Sequence, residues 1–450
     1  MLPYIPYVNI STEEATSNDL TQSTTRRRNW SECIALLDEN VPDILDYLYV
    51  TNDTNHIEVK SEVEAIAQRL KQAFNETLQN NSWIGNTTRA ALQEKLKNVT
   101  MRIGYPDTLL NRSALYEYVP PFPLNISFTE ALYYIRQGFN KMELTRYHSP
   151  EEGQLTWDHS PRDGRTYHVS LSDNIEIPYA LFAPPFFQQG LPLSFNYGGI
   201  GTTIAHELAH SLTYPGIRGI LATRYKKLMG DSLPLFKNKT SCFEKQYKPV
   251  NKRLLVELDV NYNENTSAEA DEYQAFFKNS SKYNFCYAYD GLESTKESQR
   301  KKSGKSDQEW EECFAYWEEY RNKSHYYNSK GLRVHWSKTL NEDLADNTGL
   351  QTAFKAYTTV LEEECAGEDT HLTGLEKFSG MQLFFISRAM TLCKTADKYS
   401  LIKEIRKVQF SSPRNRVNVP LKNLDEFGKE FNCSLGSPMH PYKNETCSLW

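Results

Sequence analysis

The sequence predicts a predominantly α chain with a minor β component, an α+β fold. Three observations carry this. Apolar residues recur at spacings of three and four through much of residues 1–145, one stretch from Tyr167 to Phe182 alternates and is rich in β-branched residues, and two helix-length runs follow towards the C-terminus.

In chain order, residues 1–25 are polar and rich in Ser, Thr and Asn, and are expected to be irregular. From Trp30 the pattern turns helical. Cys33, Leu36 and Leu37 open one amphipathic run, and Val63, Ile66, Leu70, Phe74 and Leu78 mark a second. A third, Ala90 to Met101, ends at the breaker Gly104-Tyr105-Pro106, and Phe128 to Met142 makes a fourth, so residues 1–145 read as a helical domain or part of one. Turn-rich residues 146–165 mark a boundary, and Tyr167 to Phe182 reads as an edge strand or hairpin. The stop Pro184-Pro185-Phe186-Phe187 and a turn at Asn196 to Gly201 lead into a short apolar run, Ile204 to Leu212. Residues 245–330 are rich in Asn, Lys, Glu and Tyr around a charged core from Ser294 to Gln308, and read as a solvent-exposed insertion. Helices around Glu342 to Glu363 and Phe378 to Thr395 precede a Pro-containing tail ending at Trp450.

A chain of 450 residues that is 39% hydrophobic can build two or three domains with substantial cores. Its net charge of −6 argues against a nucleic-acid partner, and the short basic cluster Arg26 to Arg28 does not reverse that. No apolar run reaches the roughly 18 residues of a membrane span, and the N-terminal residues lack a signal-peptide pattern. Alone, that points to the cytosol. Fifteen Asn-x-Ser/Thr sequons and eight cysteines with no Cys-x-x-Cys pair point instead to a glycosylated, disulfide-bonded extracellular protein, secreted or the ectodomain of a membrane protein. The two sets of signals agree if residue 1 is not the natural start of the polypeptide. Nothing in the sequence fixes an oligomeric state.

Ile204 to Leu212 carries His206, Glu207 and His210 in the pattern His-Glu-x-x-His. On a helix the two histidines lie one turn apart on one face and can grip a single zinc, with Glu207 beside them to polarise a water. A zinc peptidase is one reading, and an accidental match on an ordinary buried helix is the other. The Gly-rich turn before it is no nucleotide loop, because Ile204 stands where the third glycine would be needed. A catalytic zinc also needs a third protein ligand, commonly a carboxylate, and an acid that fixes a ligating histidine. Glu342 and Asp346, four apart on one helix face, can supply both, although that spacing equally suits a solvated acidic helix start.

Several spaced motifs together resemble the neprilysin and endothelin-converting-enzyme family. They are Asn196-Tyr-Gly-Gly-Ile-Gly leading to His206-Glu-Leu-Ala-His210, Glu342-Asp-Leu-Ala-Asp346 followed by Gly349-Leu350, and the terminal Cys447-Ser-Leu-Trp450. Ala183 to Phe187, Met381 to Phe385 ahead of Cys393, Ser412-Pro413 with Arg416-Val417 ahead of Cys433, Trp30 with Cys33, Leu48 to Val50, Lys95-Leu96 and Ile103 to Pro106 are similar to further family landmarks. The resemblance implies a thermolysin-like zinc peptidase lobe over residues 146–450 and a partial helical lobe over 1–145, enclosing a chamber that admits peptides. It implies one zinc per chain held by His206, His210 and Glu342, with Glu207 activating the attacking water and Asp346 holding His206 in its metal-binding tautomer. Arg416 would bind a substrate carbonyl, and the substrates would be short peptides cut on the amino side of a hydrophobic residue. It further implies that Cys447 bridges to a cysteine after the zinc helix, Cys242 being favoured over Cys313. The family's partners for Cys33, Cys393 and Cys433 would lie upstream of residue 1.

The sequence departs from the family in three places. The substrate-binding Asn-Ala strand is not recognisable around Val169-Ser170-Leu171-Ser172, and one residue is missing between Pro413 and Arg416. Ser411 stands where the family has the histidine that stabilises the tetrahedral oxyanion, and losing one such donor costs about two to three powers of ten in turnover. The alternative function is therefore a catalytically weak or inactive secreted member that binds peptides or a partner.

Overall fold

Each helical run of the sequence forms a helix in the computed structural model, which describes residues 30–113, 115, 125–148, 157–169, 173–213, 220–257, 308, 312, 336–395 and 410–450. The N-terminal helices are α1 (Trp30–Asn40), α2 (Pro42–Thr51), α3 (His56–Asn80), α4 (Asn86–Asn98) and α5 (Phe128–His148). They are followed by α6 (Leu193–Asn196), α7 (Thr202–Leu212), α8 (Ile220–Met229) and α9 (Leu233–Glu257). The last four are α10 (Trp336–Glu364), α11 (Gly380–Thr391), α12 (Pro413–Lys422) and α13 (Asp425–Glu430). No helix among the described residues is long and apolar enough to cross a membrane.

Three strands, β1 (Thr100–Gly104), β2 (Tyr167–Val169) and β3 (Asn174–Pro178), form a sheet in the order β1-β3-β2. β2 and β3 run antiparallel, the hairpin expected of the alternating stretch, and β2 is an edge strand, as is β1. β1 is a correction, since the third helical run was expected to reach Met101. The helix ends at Asn98, and Thr100 to Gly104 extend to pair parallel with β3, placing buried Ile103 opposite buried Ile177. That pairing depends on a partner strand more than seventy residues away, which a local window cannot register.

The chain divides into two units, one within residues 1–47 and 111–153 and the other within 48–110 and 154–450. In the first, Arg136 Nε donates to Asn40 Oδ1 at 2.8 Å, and Ser127 and Glu130 cap α5 reciprocally. Residues 48–110, which the sequence groups with the helical segment ending at 145, fold in the second unit. The reason is the apolar stripe of α3, where Val63, Ile66, Leu70, Phe74 and Leu78 are all buried, with Phe74 edge-on to Trp450.

At the centre of the second unit α7 crosses α10. Nearly every residue of α7 is buried, as expected of a helix apolar on most of its surface. Gly349 permits the crossing: a Cβ there would stand 2.7 Å from the backbone nitrogen of His206. Asn196 to Gly201, expected as a turn, instead forms the end of α6 and a π-helical turn, Tyr197–Gly201, continuous with α7. Its glycines serve contact rather than chain reversal, because a Cβ on Gly198 would meet the Phe384 carbonyl oxygen at 2.2 Å. α11 starts at Gly380 because Ser379 and Gln382 form a capping box.

Residues 245–257, read as the start of the exposed insertion, complete α9, and Tyr247 and Asn251 of this stretch are buried. Tyr247 accepts a hydrogen bond from Asn347 Nδ2, and Asn251 one from Asn415 Nδ2, each at 2.8 Å. Most of the remaining insertion, and the polar residues 1–25, lie outside the described residues. A disulfide joins Cys242 of α9 to Cys447, while Cys313 lies outside the described residues. Beyond the bridge, Trp450 stacks on Trp83, whose Nε1 donates to the Leu449 carbonyl at 2.9 Å.

Candidate metal centre

Helical spacing places His206 and His210 one turn apart on the face of α7 that meets α10, and α10 presents Glu342 and Asp346 from successive turns. Three potential ligand atoms converge there. His206 Nε2 and His210 Nε2 are 3.0 Å apart, and they lie 3.2 Å and 3.1 Å from Glu342 Oε2. Tetrahedral zinc with bonds of about 2.0–2.1 Å holds its ligand atoms about 3.3 Å apart, so this set fits the ion. Among the described residues it is the one such group of three.

The far nitrogens of both rings are also held. His206 Nδ1 is 3.0 Å from Asp346 Oδ1, and His210 Nδ1 is 3.2 Å from the side-chain amide of Asn341, itself in contact with Thr213 Oγ1. With metal on Nε2 each Nδ1 carries a proton and needs an acceptor, which Asp346 provides; Asn341, whose Nδ2 faces His210 here, would provide one with its amide turned over. Burial pushes the His206 imidazole down, but hydrogen bonds to Asp346 and Glu342 outweigh it and raise it to about 9. Burial pushes the Glu342 carboxyl up, and the two histidines more than reverse this, holding it well below the usual range. Asp346 is likewise held low against its own burial, by Arg416 first and His206 next.

Arg416 grips both oxygens of Asp346, Nε to Oδ2 at 2.7 Å and Nη2 to Oδ1 at 2.9 Å, and stacks on Phe410 at 4.4 Å. Arg388, from α11, adds a third donor to Oδ1 at 2.9 Å. Asp343 is buried beside this cluster, and burial pushes its carboxyl up to about 8 despite neighbouring Ser411 and Thr339.

Glu207 is buried one residue beyond His206, and its Oε1 accepts from Thr166 Oγ1. Thr166 immediately precedes β2, and the two-residue period of a strand puts His168 on the same side, its ring 6.3 Å from that of His210. Tyr167 turns the other way and stacks on His159 at 3.4 Å. Ser170, Leu171 and Ser172 lie outside the described residues. Ser411 is buried, and its Oγ accepts from Asn251 Nδ2 at 3.2 Å.

Thr166, Asn341 and Arg388 are absent from the sequence-derived set. The alternation running into Tyr167 is a signal that could have raised Thr166, and Asn341 adjoins Glu342. Arg388 shows only as a charge inside the apolar run Leu383 to Met390, which a solvated helix face explains equally well.

A buried His-Glu-x-x-His helix crossed by a helix whose carboxylate completes a candidate set of three ligand groups is the arrangement of a zinc peptidase. This chain belongs to peptidase family M13, whose models match residues 2–106 and residues 166–276 with 289–447. It is similar to Membrane metallo-endopeptidase-like 1 of Mus musculus, at 24% identity over 436 residues, 95% of this chain and 46% of the relative. It is also similar to the Endothelin-converting enzyme homolog of Locusta migratoria, at 24% identity over 424 residues, 94% of this chain and 47% of the relative. Among solved structures, the Mycobacterium tuberculosis zinc metalloprotease ZMP1 in complex with inhibitor shares the fold, with a TM-score of 0.58, 18% identity and coverage of 94% of this chain and 51% of that one. The chain thus spans about half the length of the relatives it matches.

Proposed function

We propose that this chain is a zinc metalloendopeptidase acting outside the cell, hydrolysing short peptides on the amino side of hydrophobic residues. The convergence of His206 Nε2, His210 Nε2 and Glu342 Oε2 within 3.2 Å carries this reading. One zinc, held by those three atoms, would act as a Lewis acid on the scissile carbonyl and lower the pKa of a bound water. Glu207, oriented by the Thr166 hydroxyl, accepts the proton of the attacking water and returns it to the leaving amine. Asp346 keeps the proton of His206 on Nδ1, so that Nε2 stays free to ligate. Arg416, tied to Asp346 and partly exposed, binds a substrate carbonyl. An extracellular setting is supported by the Cys242–Cys447 bridge and by the described sequons, whose asparagines are all exposed except Asn75.

The test is cleavage of a fluorogenic peptide with a hydrophobic residue after the scissile bond, with and without a zinc chelator. Cleavage should disappear with chelator and fall by about 10²–10⁴ in Glu207→Gln with zinc retained. Absence of chelator-sensitive cleavage by the folded protein sinks the enzymatic reading. The second reading, a catalytically weak peptide- or partner-binding protein, is favoured by Ser411, a short buried side chain tied to Asn251. It expects peptide affinity that survives Glu207→Gln with no turnover in either form.

A further inference from the structure

We infer that Arg388 is a positioning residue of the metal centre, holding Asp346 in the orientation that fixes His206 for zinc; this rests on the zinc reading of the site. Arg388 is 4% exposed, and its Nη2 lies 2.9 Å from Asp346 Oδ1, the oxygen that also faces His206 Nδ1 at 3.0 Å. A buried guanidinium is costly unless its charge and its N–H groups are answered. Here the Nε finds no hydrogen-bond partner among the described residues, so burial of this side chain is only partly compensated.

Charge balance at Asp346 does not require it. Arg416 already neutralises that carboxylate with two hydrogen bonds, one to each oxygen. What Arg388 adds is direction. Arg416 approaches from α12 and Arg388 from α11, and His206 reaches the same carboxylate from α7, so three helices fix the plane of one side chain borne by a fourth. With Arg416 alone the bidentate pair can still shift as a unit about the side-chain bonds of both residues, and a small such shift would carry Oδ1 off the Nδ1–H direction.

The position of Arg388 is rigid for independent reasons. α11 is capped at Ser379, and Ser387, next in the chain to Arg388, donates to the Phe195 carbonyl at 2.7 Å. The Phe384 carbonyl meets Gly198 so closely that no side chain fits between them. α11 is thereby wedged against the π-helical turn that leads into α7, and Arg388 couples this wedge to the ligand set.

Zinc affinity, measured by competition with a chromogenic chelator, tests this in the wild type, Arg388→Met and Arg388→Lys. Met keeps the volume without the charge, and Lys keeps the charge without the reach or the planar fork. Both variants should bind zinc about 10–100-fold more weakly, as is typical when a residue supporting a ligand is lost. The absorption spectrum of the cobalt-substituted protein should shift as well. A merely structural role would lower the melting temperature of the metal-free protein and leave the affinity of the folded fraction unchanged. Wild-type affinity in the folded variants therefore overturns the inference. Should Arg388→Met fail to fold, Arg388→Lys decides on the same readout. A wild-type protein that binds no zinc refutes the metal-site reading itself, which separates the two failures.

Discussion

His206 is the residue on which the site turns, because each of its two nitrogens answers to a different group. Nε2 faces Glu342 and His210, and Nδ1 faces Asp346. Without metal these partners raise the imidazole from 6.5 to about 9, so the ring is protonated at neutral pH and zinc must displace that proton. The raised value stabilises the metal-free fold fully below pH 6.5, and that contribution is lost as pH rises through about 9. Chelated protein should therefore melt at a lower temperature at pH 9 than at pH 6.5. Zinc affinity should move the opposite way, weakening by up to about tenfold per unit as pH falls below 9. Calorimetry of the chelated protein and zinc titrations across this range check both slopes, and a flat affinity profile would contradict the geometry assigned to His206.

Among the elements, the crossing of α7 and α10 sets the distance between the histidine pair and Glu342. It depends on Gly349, where an added Cβ would meet backbone atoms of His206 at 2.7 and 2.9 Å. Backbone cannot swing aside as a flexible side chain can, so the helices must part. Gly349→Ala should cost about 1–3 kcal/mol in stability, typical of overpacking, and should weaken zinc binding as well. Gly164, with nothing within 4 Å of its added Cβ, is the control, and Gly164→Ala should leave both properties unchanged. Denaturant melts and zinc titration of the two variants separate a local crossing effect from a general intolerance of alanine.

For the molecule as a whole, the Cys242–Cys447 bridge closes a long loop, with a sequence separation of 205, around the segment that carries Glu342, Asp346, Arg388 and Arg416. It also anchors the tail, whose Trp450 packs among Phe74, Trp83 and Phe236. Replacing both cysteines by alanine should reduce stability by about 2–5 kcal/mol, largely by freeing the unfolded chain. Loosening of Trp450 should accompany it as a change in tryptophan fluorescence at temperatures below the melt. Among the described residues Cys33, Cys365, Cys393 and Cys433 form no bridge, so a loss of stability on reduction that the double replacement abolishes is assigned to Cys242–Cys447.

The sequence by itself determined the helical class and the candidate ligand set. Both depend on short-range periodicity: i, i+3 and i, i+4 spacing puts His206 with His210, and Glu342 with Asp346, on common helix faces whatever the rest of the chain does. Resemblance at several separated motifs joined those two pairs before any distance was known. Tertiary structure decided what periodicity cannot express. It turned Thr100–Gly104 into a strand because β3 offered hydrogen-bond partners, and it made residues 245–257 the end of α9, with Tyr247 and Asn251 buried. It also filled the supporting shell with Thr166, Asn341 and Arg388, whose value lies in what they meet from other elements. A charged residue in an apolar helix reads the same in one dimension whether it faces water or a buried carboxylate. Only the packing of α11 against the turn before α7 brings Arg388 to Asp346, which is why the candidate ligands were legible in the sequence and the residues around them were not.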